Sequence, residues 1–235
     1  MTICFDGDGT LYHAETTVLE LWRTFCSERN VEVSGDEMAA VLERVSAQLK
    51  ERWGRLIALK MASPLDAGPL EEAFWADHNA AVLSSWGMER HSGDARRRFR
   101  QATALDAVTL YGDTLPALGA LREKGVAMGV YSNRPADLMP TIARLGLVGY
   151  FVWVRSAGDT GLTKPDPRVF AMAAAGLGVP LEQMVYVGNS MEEDIAGARS
   201  SGCRPVLIDR HGRHGAEPGV VVIRSLRELP KRLDL

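Results

Sequence analysis

Two carboxylates separated by one residue, Asp6 and Asp8, stand at the end of a short apolar run, Ile3-Cys4-Phe5. A run of this length bounded by polar residues reads as a buried strand. Gly7 and Gly9 permit tight turning and let backbone approach a ligand closely. Gly9 and Thr10 are expected to offer backbone N–H groups where the strand breaks. Acidic side chains beside free amides can hold a cation and an oxyanion together. A calcium loop begins similarly, but it needs Asp or Asn at its fifth place, Gly at its sixth and Glu at its twelfth. Thr10, Leu11 and Thr17 stand there instead. Two readings stay open at this point: a strand-end catalytic or metal motif, and a turn that only resembles one.

The elements that must position those carboxylates follow from hydrophobic spacing. From residue 14 the pattern is helical. Val18, Leu21, Trp22 and Phe25 recur at helical intervals, and Thr17 with Glu20 has capping-box spacing. Ser34 and Glu37 open a second helix striped by Met38, Val41, Leu42, Val45 and Leu49. Pro64, Gly68 and Pro69 mark a loop, and a third helix runs through Leu70, Phe74 and Leu83. A shorter Arg-rich helix covers residues 93–102.

Beyond residue 106 short strands alternate with helices. Asp113 is placed to cap a helix carrying Leu115, Leu118 and Leu121, which stops at Gly125. Strands are expected at 126–131, 150–154, 184–187 and 205–208, with helices at 135–145, 167–177 and 191–201. This alternation predicts an α/β fold, a doubly wound parallel sheet with a Rossmann-like core. That α/β core is expected to comprise residues 1–13 and 107–235. Residues 14–106 form an α-helical domain inserted after the first strand.

Ligands of such a sheet bind beyond the carboxyl ends of its strands, near the switch in strand order. The first strand delivers Asp6 and Asp8, and the second ends in Ser132 and Asn133. The loop beyond the third carries Lys164, and the fourth ends in Gly188, Asn189 and Ser190, with Asp194 one helical turn further on. Each has a structural explanation. Ser132 and Asn133 can start the next helix, Asp166 can cap the helix at Pro167 and leave Lys164 on the surface, and Ser190 with Glu193 has capping-box spacing. Four consecutive strand ends with chemically compatible groups exceed what capping alone supplies.

Charge and composition exclude other classes. With Lys+Arg 27 against Asp+Glu 30, the net charge of -3 argues against nucleic acid or an anionic membrane as partner. Three scattered cysteines, Cys4, Cys26 and Cys203, suggest reduced thiols in a cytoplasmic protein. No signal peptide and no apolar run approaching the ~18 residues of a membrane span is visible. His211 and His214 read as a solvated loop, Arg96, Arg97, Arg98 and Arg100 as a solvated helix face. Trp22, Trp53, Trp75 and Trp86 read mostly as bundle core. His13, at the junction with the insert, is a candidate substrate contact.

Asp-Gly-Asp-Gly-Thr-Leu at 6–11, Ser132, Lys164 before Pro165, and Gly188-Asn189-Ser190 with Asp194 resemble the four motifs of the haloacid dehalogenase superfamily. They stand in the same order, and the helical insert is similar to that superfamily's first type of cap domain. The resemblance implies a phosphatase acting on a small phosphorylated metabolite, with Asp6 as nucleophile and Asp8 as general acid and base. It implies Mg²⁺ held by Asp6, the Asp8 carbonyl, Asn189 and, directly or through water, Asp194. Gly7, Thr10, Ser132, Asn133 and Lys164 would hold the phosphoryl oxygens. Most members have Asp where this chain has Asn189, a departure that bears on the metal. The dehalogenases of the superfamily lack an acid at the place of Asp8, because halide leaves without a proton; Asp8 therefore favours phosphoryl chemistry. A phosphomutase and a non-catalytic scaffold are the rival readings. The protein is expected to be a monomer or homodimer whose cap opens through linkers near 13–15 and 104–106.

Overall fold

Alternate residues of one strand feed two different cores. Ile3 and Phe5 join one apolar cluster, whereas Cys4 joins another. Val185 and Val187 lie in the first cluster, Met184 and Tyr186 in the second. The period of two is that of a strand buried on both faces, which is how parallel sheets occur.

The computed structural model describes residues 1–14, 16–62, 64–102, 107–134, 136–215 and 217–235. The chain begins with β1 (Thr2–Phe5) and β2 (Tyr12–Ala14), then four helices, α1 (Val18–Ser27), α2 (Gly35–Ala62), α3 (Pro64–Ser84) and α4 (Ser92–Ala102). β3 (Val108–Leu110) leads to α5 (Thr114–Glu123), β4 (Ala127–Ser132), α6 (Met139–Arg144), β5 (Trp153–Ser156) and α7 (Ala157–Thr160). There follow α8 (Pro167–Gly176), β6 (Met184–Gly188), a π-helical turn (Met191–Ala196) and α9 (Gly197–Ser201). β7 (Arg204–Ile208), β8 (Val221–Ile223) and α10 (Leu229–Arg232) come last. Two compact units result, Met1–His13 with Val108–Leu235, and Ala14–Ala107.

The first unit is a doubly wound α/β core. Its six-stranded sheet has the order β5-β4-β1-β6-β7-β8, with each neighbouring pair parallel. α5, α6 and α10 contribute Leu118, Ile142 and Leu229 to one face, while α8 and α9 contribute Phe170 and Ala198 to the other. From β1 the chain builds outward through β4 and β5, then crosses to β6 on the opposite side. The switch point therefore lies at the carboxyl end of β1, between β4 and β6.

The second unit packs Trp22, Phe25, Met38, Val41, Val45, Leu83 and Phe99 into its own core. Trp22 is fully buried and Trp86 packs against that cluster, whereas Trp53 and Trp75 cover a smaller one around Leu56 and Phe74. Thr17 and Glu20 form the expected capping box of α1, and Ser34 Oγ accepts from the Glu37 N–H at 3.2 Å. Arg96, Arg97 and Arg98 pair with Glu72, Asp94 and Glu28 on a solvated helix face.

Some elements differ from the sequence reading. The loop expected at Pro64, Gly68 and Pro69 is the start of α3: a first-turn proline needs no N–H, and Pro69 is carried inside the helix. The strand expected at 150–154 begins only at Trp153, where pairing with Gly129 of β4 starts, and Val148–Tyr150 is a 3₁₀ turn. The helix expected from Pro135 begins at Met139; Pro135 lies outside the described residues. The linker positions Glu15 and 104–106 also lie outside them. β8 has no counterpart in the sequence reading, because a three-residue run carries too little periodicity.

Asp113 occupies the N-cap position of α5 but makes no capping hydrogen bond. Stronger donors take its carboxylate instead. Arg210 donates from both terminal nitrogens at 3.0 Å, and Ser225 Oγ and the Leu226 N–H donate at 2.8 Å. Arg210 also donates to the Thr10 carbonyl at 2.7 Å, tying this network to the turn after β1.

Candidate active site

Asp6 directly follows β1, and its N–H donates to Val187 O of β6 at 2.8 Å. The chain then folds back, with the N–H groups of Leu11 and Tyr12 directed at Gly7 O, the former at 2.8 Å. This tight return requires Gly9 at a φ of +78°, and a Cβ there would lie 2.5 Å from the Asn189 amide. The amides of Gly9 and Thr10, expected to be free, serve the turn instead: Gly9 donates to Tyr12 O at 2.8 Å and Thr10 to Gly7 O at 3.3 Å. Thr10 is buried and its hydroxyl bonds Asn189. Among the described residues, the N–H groups of Gly7 and Asp8 make no hydrogen bond.

Lys164 lies at the centre. Its Nζ donates at 2.6 Å to Asp6 Oδ1 and at 2.6 Å to Asp194 Oδ1, with the lysine side chain 1% exposed. Asn133, at the end of β4, fixes the lysine's backbone: its Oδ1 accepts from Lys164 N at 2.8 Å and its Nδ2 donates to Lys164 O at 3.2 Å. Asp194 is delivered by the π-helical turn, where Ser190 O accepts from both Asp194 N and Ile195 N. Its second oxygen accepts from Ser190 N at 2.9 Å. Gly188 has to be glycine, since a Cβ would fall 2.3 Å from the Asp194 carboxyl carbon.

Two buried carboxylates thus share one ammonium, leaving one negative charge uncompensated. Burial pushes the Asp6 carboxyl up to about 7 despite the Lys164 cation, and the Asp194 charge adds to the push. Burial also works against the charge of Lys164, but the carboxylates, led by Asp6, hold its ammonium well above the ordinary lysine range.

A cation would complete this balance, and the groups that could hold one are Asp6, the Asp8 carbonyl and Asn189. The Asn189 amide group lies 3.1 Å from Asp6 Oδ2, 2.9 Å from the Asp8 carbonyl oxygen and 3.2 Å from Thr10 Oγ1. With its NH₂ turned to them, the amide donates to all three. With its oxygen turned to them, oxygens converge and call for a positive ion. Neighbouring ligands of an octahedral ion with bonds of about 2.0–2.1 Å sit roughly 2.9 Å apart. The Asn189 amide stands close to that spacing from both Asp6 Oδ2, at 3.1 Å, and Asp8 O, at 2.9 Å. Among the described residues no group of three or more His, Cys, Asp or Glu side chains makes a metal site; this set draws on a carboxylate, a carbonyl and an amide. His211 and His214 are exposed loop residues, and the His214 N–H donates to Asp209 at 2.8 Å.

Asp8 faces a different partner. Ser132 Oγ donates to Asp8 Oδ2 at 3.2 Å. Arg134 grips both carboxylate oxygens, Nε to Oδ2 at 2.7 Å and Nη2 to Oδ1 at 2.6 Å. Nothing in the sequence marks Arg134 except its position two past Ser132 at a strand end. His13, read as a substrate contact, lies tilted against the Tyr111 ring with the ring centroids 4.6 Å apart.

A family model of haloacid dehalogenase-like hydrolases matches residues 1–202, and the chain belongs to that family. It is 36% identical over 145 residues to a phosphoserine phosphatase of Thermus thermophilus, a match covering 61% of this chain and 56% of that protein. In that comparison the chain spans little more than half its relative's length. It is 26% identical over 229 residues to a phosphoglycolate phosphatase of Salmonella typhimurium, covering 93% of this chain and 87% of that one. Among solved structures, the HAD-hydrolase YfnB from Bacillus subtilis, bound to magnesium, aligns with a TM-score of 0.70 at 20% identity, covering 100% of this chain and 98% of that one. That likeness speaks for the fold alone. Among the described residues, no helix is long and apolar enough to cross a membrane.

Proposed function

We propose that this hydrolase is a Mg²⁺-dependent phosphatase of small phosphorylated metabolites that works through a phosphoryl group carried on Asp6. The observation that carries this reading is the convergence of Asp6 Oδ2, the Asp8 carbonyl and the Asn189 amide beside the Asp6–Lys164–Asp194 bridge. Relatives named as phosphoserine and phosphoglycolate phosphatases support the same class of reaction. In the first step an Asp6 oxygen bonds to phosphorus, the ester P–O bond breaks, and Asp8 gives its proton to the departing oxygen. In the second, Asp8 takes a proton from water as that water's oxygen bonds to phosphorus. Phosphate leaves and Asp6 is restored.

Like-charge repulsion is the obstacle. Two unit charges 4 Å apart interact with about 4 kcal/mol at an effective dielectric near 20. When bound by Asp6, the Asp8 carbonyl and Asn189, Mg²⁺ supplies the positive charge that offsets this repulsion and polarises a phosphoryl oxygen. Lys164 holds Asp6 in line, with Asn133 and Asp194 positioning the lysine. The Gly7 and Asp8 amides and Ser132 Oγ would receive phosphoryl oxygens. The helices of residues 14–106 act as the cap that selects substrate. Three buried free cysteines suit a reducing cytoplasm.

Hydrolysis of a generic aryl phosphate tests this reading, with ³²P-labelled substrate to trap the intermediate. Asp6→Asn abolishes turnover and labelling. Asp8→Asn slows hydrolysis more than transfer, so label accumulates on the protein. EDTA stops the reaction and Mg²⁺ restores it. Near wild-type turnover by Asp6→Asn, or full activity after exhaustive chelation, would overturn the assignment.

A further inference from the structure

Arg134 holds Asp8 in a way that the reaction cannot use. Both Asp8 oxygens are taken by the guanidinium fork, at 2.7 and 2.6 Å, so neither is directed at a leaving group. The two side chains differ in setting: Arg134 is 14% exposed and Asp8 45% exposed. The arginine's backbone is fixed on both sides, its N–H donating to Ser132 Oγ at 3.2 Å and its carbonyl accepting from Gly158 N at 2.9 Å. The Tyr12 ring, 5.3 Å from the guanidinium carbon, backs it.

We infer that Arg134 is a latch on Asp8 that opens when the leaving-group end of the substrate offers a carboxylate of its own. This rests on the phosphatase reading above, in which Asp8 serves the departing oxygen. A guanidinium beside Asp8 therefore faces whatever the leaving group carries, while Lys164, on Asp6 and Asp194, stays with the nucleophile. Stripping a largely buried arginine of its carboxylate is costly unless another anion replaces it. A substrate carboxylate replaces it in kind, because the planar fork accepts either carboxylate with two parallel hydrogen bonds. Exchange keeps the guanidinium paired, frees Asp8 to reach the ester oxygen, and couples recognition to catalysis. The substrate class is then a phosphomonoester with a carboxylate a few bonds from the ester oxygen. An uncharged alkyl phosphate leaves the latch shut.

Two substrates that differ in this one group provide the test: 2-phosphoglycolate and ethyl phosphate, with a carboxylate in one where the other has a methyl. Wild-type enzyme is expected to prefer 2-phosphoglycolate in kcat as well as KM. Arg134→Gln should lower kcat/KM for 2-phosphoglycolate by about tenfold or more, and raise kcat for ethyl phosphate by at least about threefold, since Asp8 is no longer withheld. Arg134→Lys keeps the charge without the fork and should fall between the two on both substrates. It also serves if Arg134→Gln fails to fold, as judged by circular dichroism. Equal fold-changes on both substrates, or wild-type enzyme that processes them alike, would overturn the latch. Wild-type protein inactive on 2-phosphoglycolate and on an aryl phosphate alike would instead overturn the phosphatase reading.

Discussion

Asn189 brings an oxygen but no charge to a place where charge is short. The Asp6–Lys164–Asp194 bridge leaves one negative charge over, so a metal bound through Asn189 meets a less anionic site than it would with Asp there. An Asn189→Asp variant should therefore need several-fold less Mg²⁺ for half-maximal activity. Asn189→Ala should need more without being dead, because water can fill the lost ligand position. Titrating activity against Mg²⁺ in the three proteins decides: unchanged half-saturation in both variants would reduce Asn189 to the residue that props the Gly9 turn. At this scale much of the site is legible in the amino-acid order. Asp6, Asp8, Ser132, Lys164 and Asp194 are polar residues at or just beyond strand ends, and strand ends are visible as breaks in apolar runs. Their pairwise partners are not legible in the same way. That Asn133 holds the Lys164 backbone, that Thr10 serves its own turn and that Arg134 grips Asp8 depend on residues 31, 3 and 126 positions apart, and local spacing carries no sign of the longer ones.

Asp113 shows how an element's own signal can be overridden. A helix N-terminus and an Asp in the capping position predict a cap, yet the carboxylate instead binds Arg210, Ser225 Oγ and Leu226 N. A charge-assisted fork outcompetes a backbone N–H that water can satisfy. The network ties α5, the segment after β7 and the turn after β1 together, the last through the Arg210 bond to Thr10 O. Burial works against the charge of Asp113, but its donors, led by Arg210, hold the carboxyl below the usual aspartate range. A depressed folded-state value means that its contribution is complete above the unfolded value near 4 and is lost as pH falls through the lower folded one. Asp113→Asn should thus cost about 2 kcal/mol at pH 6, with the deficit shrinking as pH falls from 4 towards 2. Urea midpoints of both proteins at pH 6 and pH 3 measure this; a deficit that is equal at both would assign the effect to shape and not to charge. The strand and helix rhythm itself is legible because β1, β4, β6 and β7 are apolar runs of four to six residues. The three-residue β8 and the proline-marked start of α3 are not, since their placement comes from pairing and packing.

The two units have separate apolar cores among the described residues: the sheet's two clusters draw on residues 1–13 and 108–235, the helical clusters on residues 18–99. Every residue proposed to hold metal or phosphoryl group lies in the first unit, even though β1 and β4 are separated by the whole insert. A ligand that binds the folded state stabilises what must stay folded to bind it, by about 2.7 kcal/mol at a concentration of 100 Kd. Mg²⁺ with fluoroberyllate, a phosphoryl mimic, should therefore slow amide exchange along β1, β4 and β6 in proportion to that energy. Exchange in the cores of α1 and α2 should change much less, because their buried contacts are made within the helical clusters. Hydrogen–deuterium exchange read by mass spectrometry resolves the two sets of peptides. Equal added protection in both would mean that the helices and the sheet unfold as one cooperative body, and that metal binding at the end of β1 is felt by the whole chain.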